Sequence, residues 1–516
     1  MAGHHSQQWI RRRPVRAAAG SSRGRLAGRA RRTTLNPSPG SPSKIDARAV
    51  VLPLALAQFI CSYAASSLNV AITAIAKDLD TTVIGVQTTI TLFTLTMAAL
   101  MIPGSKLSDI WGRRTCFITG LAVYGIGALL ASLSPGLGLM IVGNSILEGV
   151  GSALMIPPVY ILVTVIFTEV RTRAKYFGIV SGAGALGAAA GPLIGGLITS
   201  LLGWRALFLT QALAVALIIF LARNLPDQPR QVPRPPFDLG GAVLSAAGLS
   251  FLVLGILQTN TYGWFVSRKD FSVAGTVLIS QGGMSPVWLS IGVGAAVLVC
   301  FFRYLRARER KGKEPLLHRR LLHDRTANLG LGVQLIQWLT MQGTFFVVSV
   351  FLQQAWKYDA IRTGLMLTPA SVGILASSAA AERLARRHSQ RTLIRQGFIV
   401  TTAGMALFLA LVRTTSGTFS LVPGLLLTGL GVGVMLTAAV NLVQSSFPDS
   451  DQSDISGLSR SVSNLGSSLG TALAGSILVA ATHPGGRPFA LSLTTLLVVT
   501  VIGLVLALFI PSRADS

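Results

Sequence analysis

Gly187-Ala188-Ala189-Ala190-Gly191-Pro192-Leu193-Ile194-Gly195-Gly196 concentrates small residues and a proline within ten positions. It lies in an apolar segment over 177–202, long enough to cross a bilayer, which takes about 20 apolar residues as a helix. Its small residues recur at intervals of three and four and so share one helix face. In lipid such a face lets a neighbouring backbone approach closely. Pro192 removes one amide from the helix ladder and is expected to bend or loosen it there.

Composition extends that reading to the whole chain. Of its 516 residues 51% are hydrophobic and 12% charged, and its mean hydropathy is +0.61. A soluble chain carries about 25% charged residues, so most of this one belongs in lipid. The net charge is +26, from 44 Lys and Arg against 18 Asp and Glu. In a soluble protein that balance points to nucleic acid. In a membrane protein it sets orientation, and no nucleic-acid partner is expected. Cys61, Cys116 and Cys300 sit in separate apolar runs without partner spacing and read as small buried hydrophobes. No metal set, nucleophile–base constellation or G-x-x-x-x-G-K-[ST] phosphate loop stands out. The expectation is a non-enzyme without cofactor or metal, not driven directly by ATP.

Residues 1–48 carry about eleven Lys and Arg and one acid, a composition expected to form a disordered, lipid-attracted tail. Without an apolar core and cleavage site it does not read as a secretory signal. Fourteen candidate spans follow, at 49–72, 83–104, 116–134, 139–167, 177–202, 206–222, 239–257, 287–302, 328–354, 365–381, 392–412, 418–441, 455–480 and 489–510. The fourth and ninth are long for one crossing and are expected to tilt, bend or protrude. Most Lys and Arg fall in the tail, the even-numbered loops and the C-terminus. That asymmetry places both termini in the cytoplasm of a multi-pass plasma-membrane protein. The expected parts are a six-helix bundle at 49–222, two additional helices with an external loop at 239–302, a basic cytoplasmic loop at 303–327, and a second six-helix bundle at 328–510.

The loop after span two reads Gly104-Ser105-Lys106-Leu107-Ser108-Asp109-Ile110-Trp111-Gly112-Arg113-Arg114. An acid near a helix end, a turn glycine and two arginines suit a latch between neighbouring helices. Here the chain resembles the major facilitator superfamily, whose second-to-third helix loop follows G-x-L-a-D-r-x-G-r-R. Leu107, Asp109, Gly112, Arg113 and Arg114 match, and the first glycine is Ser105. The opening stretch fits the superfamily's antiporter signature G-x-x-x-G-P-x-x-G-G through Gly187, Gly191, Pro192, Gly195 and Gly196. Gly203-Trp204-Arg205, Phe237-Asp238-Leu239-Gly240-Gly241 and Glu314-Pro315-Leu316-Leu317 resemble further segments of its fourteen-span drug:proton antiporter branch. The resemblance implies an all-α integral membrane protein with the major facilitator fold, two six-helix halves plus two extra central helices.

An internal echo points the same way. The loop over 382–391 can be laid on 105–114 with Leu384 on Leu107, and Gly429-Leu430-Gly431 echoes Gly149-Val150-Gly151. Such repeats imply a cavity near the midplane between two halves. The run Gly182-Ala183-Gly184-Ala185-Leu186-Gly187 matches a dinucleotide fingerprint by letter only, since no strand precedes it and no acid follows at the required spacing.

Two charges usual in that branch are replaced. The acid of helix one falls on Ala64, within Tyr63-Ala64-Ala65-Ser66-Ser67-Leu68-Asn69, and the arginine of helix four on Ser145. Glu148 stands where the branch has glutamine, the one acid placed deep in a span. An ionised acid at the bilayer centre costs about 2.5–3.5 kcal/mol, so Glu148 must sit in a polar cavity, be paired, or keep its proton. It is read either as the proton-coupling group or as a neutral acid bonding across helices, with Arg460 as the candidate charge partner. Asn69, Asn144, Ser145, Gln334, Gln337, Trp338, Gln342, Arg460 and Asn464 are the candidate cavity residues, and Gln211 and Asn441 are further polar groups within spans. Apolar bulk around few polar groups suits an amphipathic organic solute. The expected function is proton-coupled export of such compounds, by a monomer whose partners are a small-molecule substrate, protons and membrane lipids. A uniporter or importer of another solute, or a lipid or glycolipid flippase, are the alternatives.

Overall fold

The computed structural model describes residues 47–511 except 168, 226–235, 274–275, 386, 412–416, 449–450 and 481–486. The expected basic tail lies outside the described residues apart from Ala47 and Arg48. Fourteen long helices follow in order: α1 Ala47–Asp78, α2 Val83–Trp111, α3 Arg113–Ser132, α4 Leu137–Ile166, α5 Val170–Leu202, α6 Arg205–Leu221 and α7 Leu239–Leu257. Then come α8 Pro286–Arg310, α9 Arg325–Gln354, α10 Ala360–Ala385, α11 Gln390–Leu411, α12 Val422–Gln444, α13 Gln452–Ala480 and α14 Arg487–Leu508.

Twelve helices among the described residues are long and apolar enough to cross a membrane. Two of the fourteen expected spans fall outside that set although both are helical. α6 has 17 residues, and α13 has 29 but is rich in Ser and Gly. The outward faces are apolar, as on α6 at Leu213, Leu217 and Phe220 and on α14 at Val498, Ile502 and Val505. That inversion of a soluble surface is what a lipid solvent requires. Cys61 and Cys116 are buried as expected, whereas Cys300 is exposed on α8.

α1 to α6 pack on one another, and so do α9 to α14, while α7 pairs with α8 and leans on α2 and α13. Between the two groups the main contacts are α2 on α13 and α5 on α10, which exchange when the second group is laid on the first. Two elements depart from a plain helical reading. The loop after α7 holds a one-turn helix, Thr259–Tyr262, and an antiparallel hairpin of β1 Phe271–Val273 and β2 Thr276–Ile279. α5 runs unbroken through Pro192, because α1 and α10 hold it on both sides of the missing hydrogen bond.

The long fourth span has its own explanation. Over Ile141–Glu148 α4 is a π-helix, wound with i→i+5 hydrogen bonds. Within that turn and just beyond it α4 crosses α3 at glycines. A Cβ on Gly120 would lie 2.8 Å from the Gly151 carbonyl oxygen, and one on Gly127 would lie 2.6 Å from that of Gly143. The second group repeats the crossing: a Cβ on Gly397 would lie 2.9 Å from the Gly431 oxygen, and one on Gly404 would lie 2.9 Å from that of Gly424. The glycines of α3 and α11 share one spacing. From Gly143 to Gly151 there is one residue more than from Gly424 to Gly431, and the π-turn takes it up.

Substituting Gly127 by Val should overpack the α3–α4 crossing and cost about 1–3 kcal/mol, read as a lower thermal unfolding midpoint in detergent. Gly138→Ala, where nothing lies within 4 Å of the new Cβ, should melt like the parent protein.

Candidate functional site

The residues of the expected loop latch sit at the joint between α2 and α3. Gly112 adopts φ +98°, a conformation that strains any residue with a Cβ, and so turns the chain in a single residue. Asp109 pairs with Arg113 at 3.7 Å, and the Arg114 guanidinium donates to the Arg223 carbonyl at 2.7 Å, tying the start of α3 to the end of α6. The contact that spans the two groups comes from Lys106, whose ammonium lies 2.8 Å from Asp454 at the start of α13. Neither stood out in the sequence, since both read as ordinary loop charges. Further along α13, Ser461 donates to the Ala98 carbonyl at 2.5 Å and Arg460 donates to the Tyr160 hydroxyl of α4 while stacking over its ring.

At the opposite end, the expected hinge residues Gly187, Gly191 and Gly195 face α1 at Phe59, Ser66 and Ser67. Gly196 meets Ala360, and Pro192 meets Gly364, where α5 touches α10. Ile361 N donates to Ser200 Oγ at 3.0 Å. α1 is interrupted there by a 3-10 turn, Leu68–Ala71, which carries Asn69. Gln353 of α9 clamps the interruption: its amide donates to the Asn69 carbonyl at 3.0 Å, and its oxygen accepts from Thr73 N at 3.0 Å and Thr73 Oγ1 at 2.8 Å. Gln342, a cavity candidate, donates to the Ala65 carbonyl at 3.2 Å. Gln353 was missed because a glutamine near a helix end looks solvated. The G-W-R segment is anchored at this end by Asp78, which accepts from Trp204 Nε1 at 3.0 Å and pairs with Arg205.

Several cavity candidates are occupied as bonds within one group of helices. Gln334 donates to Ser463 at 2.7 Å and accepts from Ser459 at 3.0 Å, joining α9 to α13. Ser145 donates to the Thr89 carbonyl at 2.8 Å, joining α4 to α2. Gln337 makes only a long 3.5 Å contact to the Val432 carbonyl and leaves its oxygen unpartnered, as do the Asn69 oxygen and the Asn144 amide nitrogen. Trp338 and Asn464 are half-buried on α9 and α13.

Glu148 ends the π-turn, is 0% exposed, and neither carboxyl oxygen has a hydrogen-bond partner. Arg460 is not its ion-pair partner, because Tyr160 holds the guanidinium. The polar neighbours of Glu148 lie inside the first group. The Tyr124 phenol of α3 lies beside it and donates to Gln211 Oε1 of α6 at 2.6 Å.

A third polar node gathers two of the recognised segments. Asp238 is 3% exposed and accepts from Gly241 N at 3.0 Å, Leu316 N at 2.9 Å and the Tyr304 hydroxyl at 3.1 Å, with Arg308 at 3.5 Å. Phe237–Gly241 and Glu314–Leu317 therefore belong to one joint, which caps α7 and folds the basic loop back onto α8.

Comparison with known proteins agrees with this architecture. The family description "Major Facilitator Superfamily" matches residues 54–269, 271–471 and 330–516. The chain is 28% identical over 429 residues to the puromycin resistance protein pur8 of Streptomyces alboniger, covering 83% of this chain and 80% of that one. It is 28% identical over 420 residues to a probable actinorhodin transporter of Streptomyces coelicolor, covering 80% and 68%. It is 27% identical over 438 residues to the cephamycin export protein CmcT of Amycolatopsis lactamdurans, covering 84% and 86%. With the family matched along nearly the whole described chain and the helices packed in two related groups, the protein is a multi-pass membrane transporter and belongs to the Major Facilitator Superfamily.

Proposed function

We propose that this chain exports amphipathic, drug-like organic molecules from the cytoplasm in exchange for protons. It does so by alternating access, as a monomer in the plasma membrane with both termini inside. Resistance and export in the relatives' names support the direction and the solute class. The observation that carries the mechanism is that the two groups of helices are joined by distinct polar contacts at opposite ends. Lys106–Asp454 and Arg460–Tyr160 form the cytoplasmic latch. The Gln353 clamp on α1 and the α5–α10 contact at Gly196 and Gly364 form the external gate. Residues 49–222 and 328–510 act as the two rocking bodies, with 239–302 and the loop 303–327 attached beside them, and that basic loop faces anionic headgroups. The unpartnered oxygens of Asn69 and Gln337 and amide nitrogen of Asn144 offer hydrogen bonds to a solute between the bodies. Glu148 is the proton carrier.

Uniport is the second reading, favoured by Ala64 and Ser145, which are buried and uncharged. Inside-out vesicles separate the two. An imposed pH gradient should drive uptake of a fluorescent amphipathic compound in the parent protein, and Glu148→Gln should lower that driven uptake at least tenfold. Undiminished driven uptake in the variant removes Glu148 from the mechanism, and counterflow indifferent to a collapsed gradient favours uniport.

The latch makes a separate prediction. Lys106→Asp and Asp454→Lys should each cut transport severalfold and raise thiol labelling of a cysteine placed at Gly457. Combining them should restore most of the loss, the signature of a direct pair in a double-mutant cycle.

A further inference from the structure

We infer that the π-turn of α4 is a one-residue insertion that seats Glu148 against the Tyr124–Gln211 pair, and that this pair is the positioning device of the proton site. The inference rests on the proposed role of Glu148 and names the residues that would tune it.

The two glycine crossings supply a ruler. A Cβ on Gly127 would meet the Glu148 amide nitrogen at 2.8 Å, and one on Gly404 would meet that of Thr428 at 2.5 Å, so Glu148 and Thr428 hold equivalent places. Five residues separate Gly143 from Glu148 and four separate Gly424 from Thr428, the difference between a π-turn and an α-turn. In the regular copy the Thr428 hydroxyl is satisfied by the Gly424 carbonyl at 2.8 Å. In the widened copy the acid lies beside the Tyr124 phenol of α3, and neither of its oxygens makes a hydrogen bond.

Hydrogen-bond accounting gives the pair its role. The single proton of the Tyr124 hydroxyl goes to Gln211 Oε1 at 2.6 Å. Its oxygen is then left with acceptor capacity only, so a neighbour must donate. A carboxylic acid donates; a carboxylate cannot. A hydrogen-bonded chain from Glu148 through Tyr124 to Gln211 can close only while Glu148 holds its proton. On release the Tyr124 proton, committed to Gln211, reaches the carboxylate only if the hydroxyl turns or the π-turn rearranges. The other charged or titratable groups that bear on this cluster are Cys61 and Tyr63 of α1 and, through Cys61, Arg460 of α13.

The test uses Tyr124→Phe, which removes one oxygen, and Gln211→Leu, which frees the phenol to donate to the carboxylate. Each should move the pH midpoint of gradient-driven transport to lower pH by about half a unit to one unit. In infrared difference spectra of the full-length protein, the carboxylic C=O band lost in Glu148→Gln should shift in both variants. If Glu148→Gln abolishes driven transport while both variants keep the parent midpoint and band, this inference fails and the proton site stands. If Glu148→Gln leaves driven transport intact, the proton role itself fails. Variants that lose both midpoint and thermal stability are replaced by Gln211→Asn, whose shorter amide should reproduce the shift in a folded protein; a parent-like midpoint there also overturns the inference.

Discussion

Two helix crossings admit no side chain, and the rest of the molecule is arranged around them. At Gly120 with Gly151 and Gly127 with Gly143, and again at Gly397 with Gly431 and Gly404 with Gly424, backbone lies on backbone. In lipid there is little hydrophobic force between helices, so close contact and interhelical hydrogen bonds must hold them together. Once each crossing is fixed, the remaining helices of its group have defined grooves to fill. Polar side chains such as Gln334, Ser145 and Tyr124 then bond to neighbours already within reach.

The fold was legible because its signals are continuous and redundant. Apolar length, loop charge and glycine spacing each constrain the same helices, and the resemblance rests on five separated segments. What was not legible is equally physical. A π-turn changes no composition, so the long fourth span showed only as excess length. The hairpin after α7 is too short and its alternation too weak to register beside helices of thirty residues. Pro192 suggested a bend, but neighbours packed on both sides keep α5 continuous.

The candidate residues were legible by type and not by partner. Glu148 stood out as a deep acid, and the latch residues Asp109, Gly112, Arg113 and Arg114 stood out by pattern. Which group each one meets depends on helices far apart in the chain. Arg460 looked suited to Glu148 and sits on Tyr160. Gln334 looked like cavity lining and bonds Ser459 and Ser463. Lys106, Asp454 and Gln353, which join the two groups of helices, carry no local mark, because a long-range pair leaves nothing in the sequence of either partner.

The attachment of α7 and α8 gives the molecule a front and a back. α7 rests on both α2 and α13, so the seam between those two helices is walled off from lipid, and Asp238 pins that wall to its loop. No comparable pair covers α5 and α10 among the described residues. A solute dissolved in the bilayer therefore meets one shuttered side and one bare side. Any lateral doorway is left to the α5–α10 side, although the two groups share one pattern of helix packing.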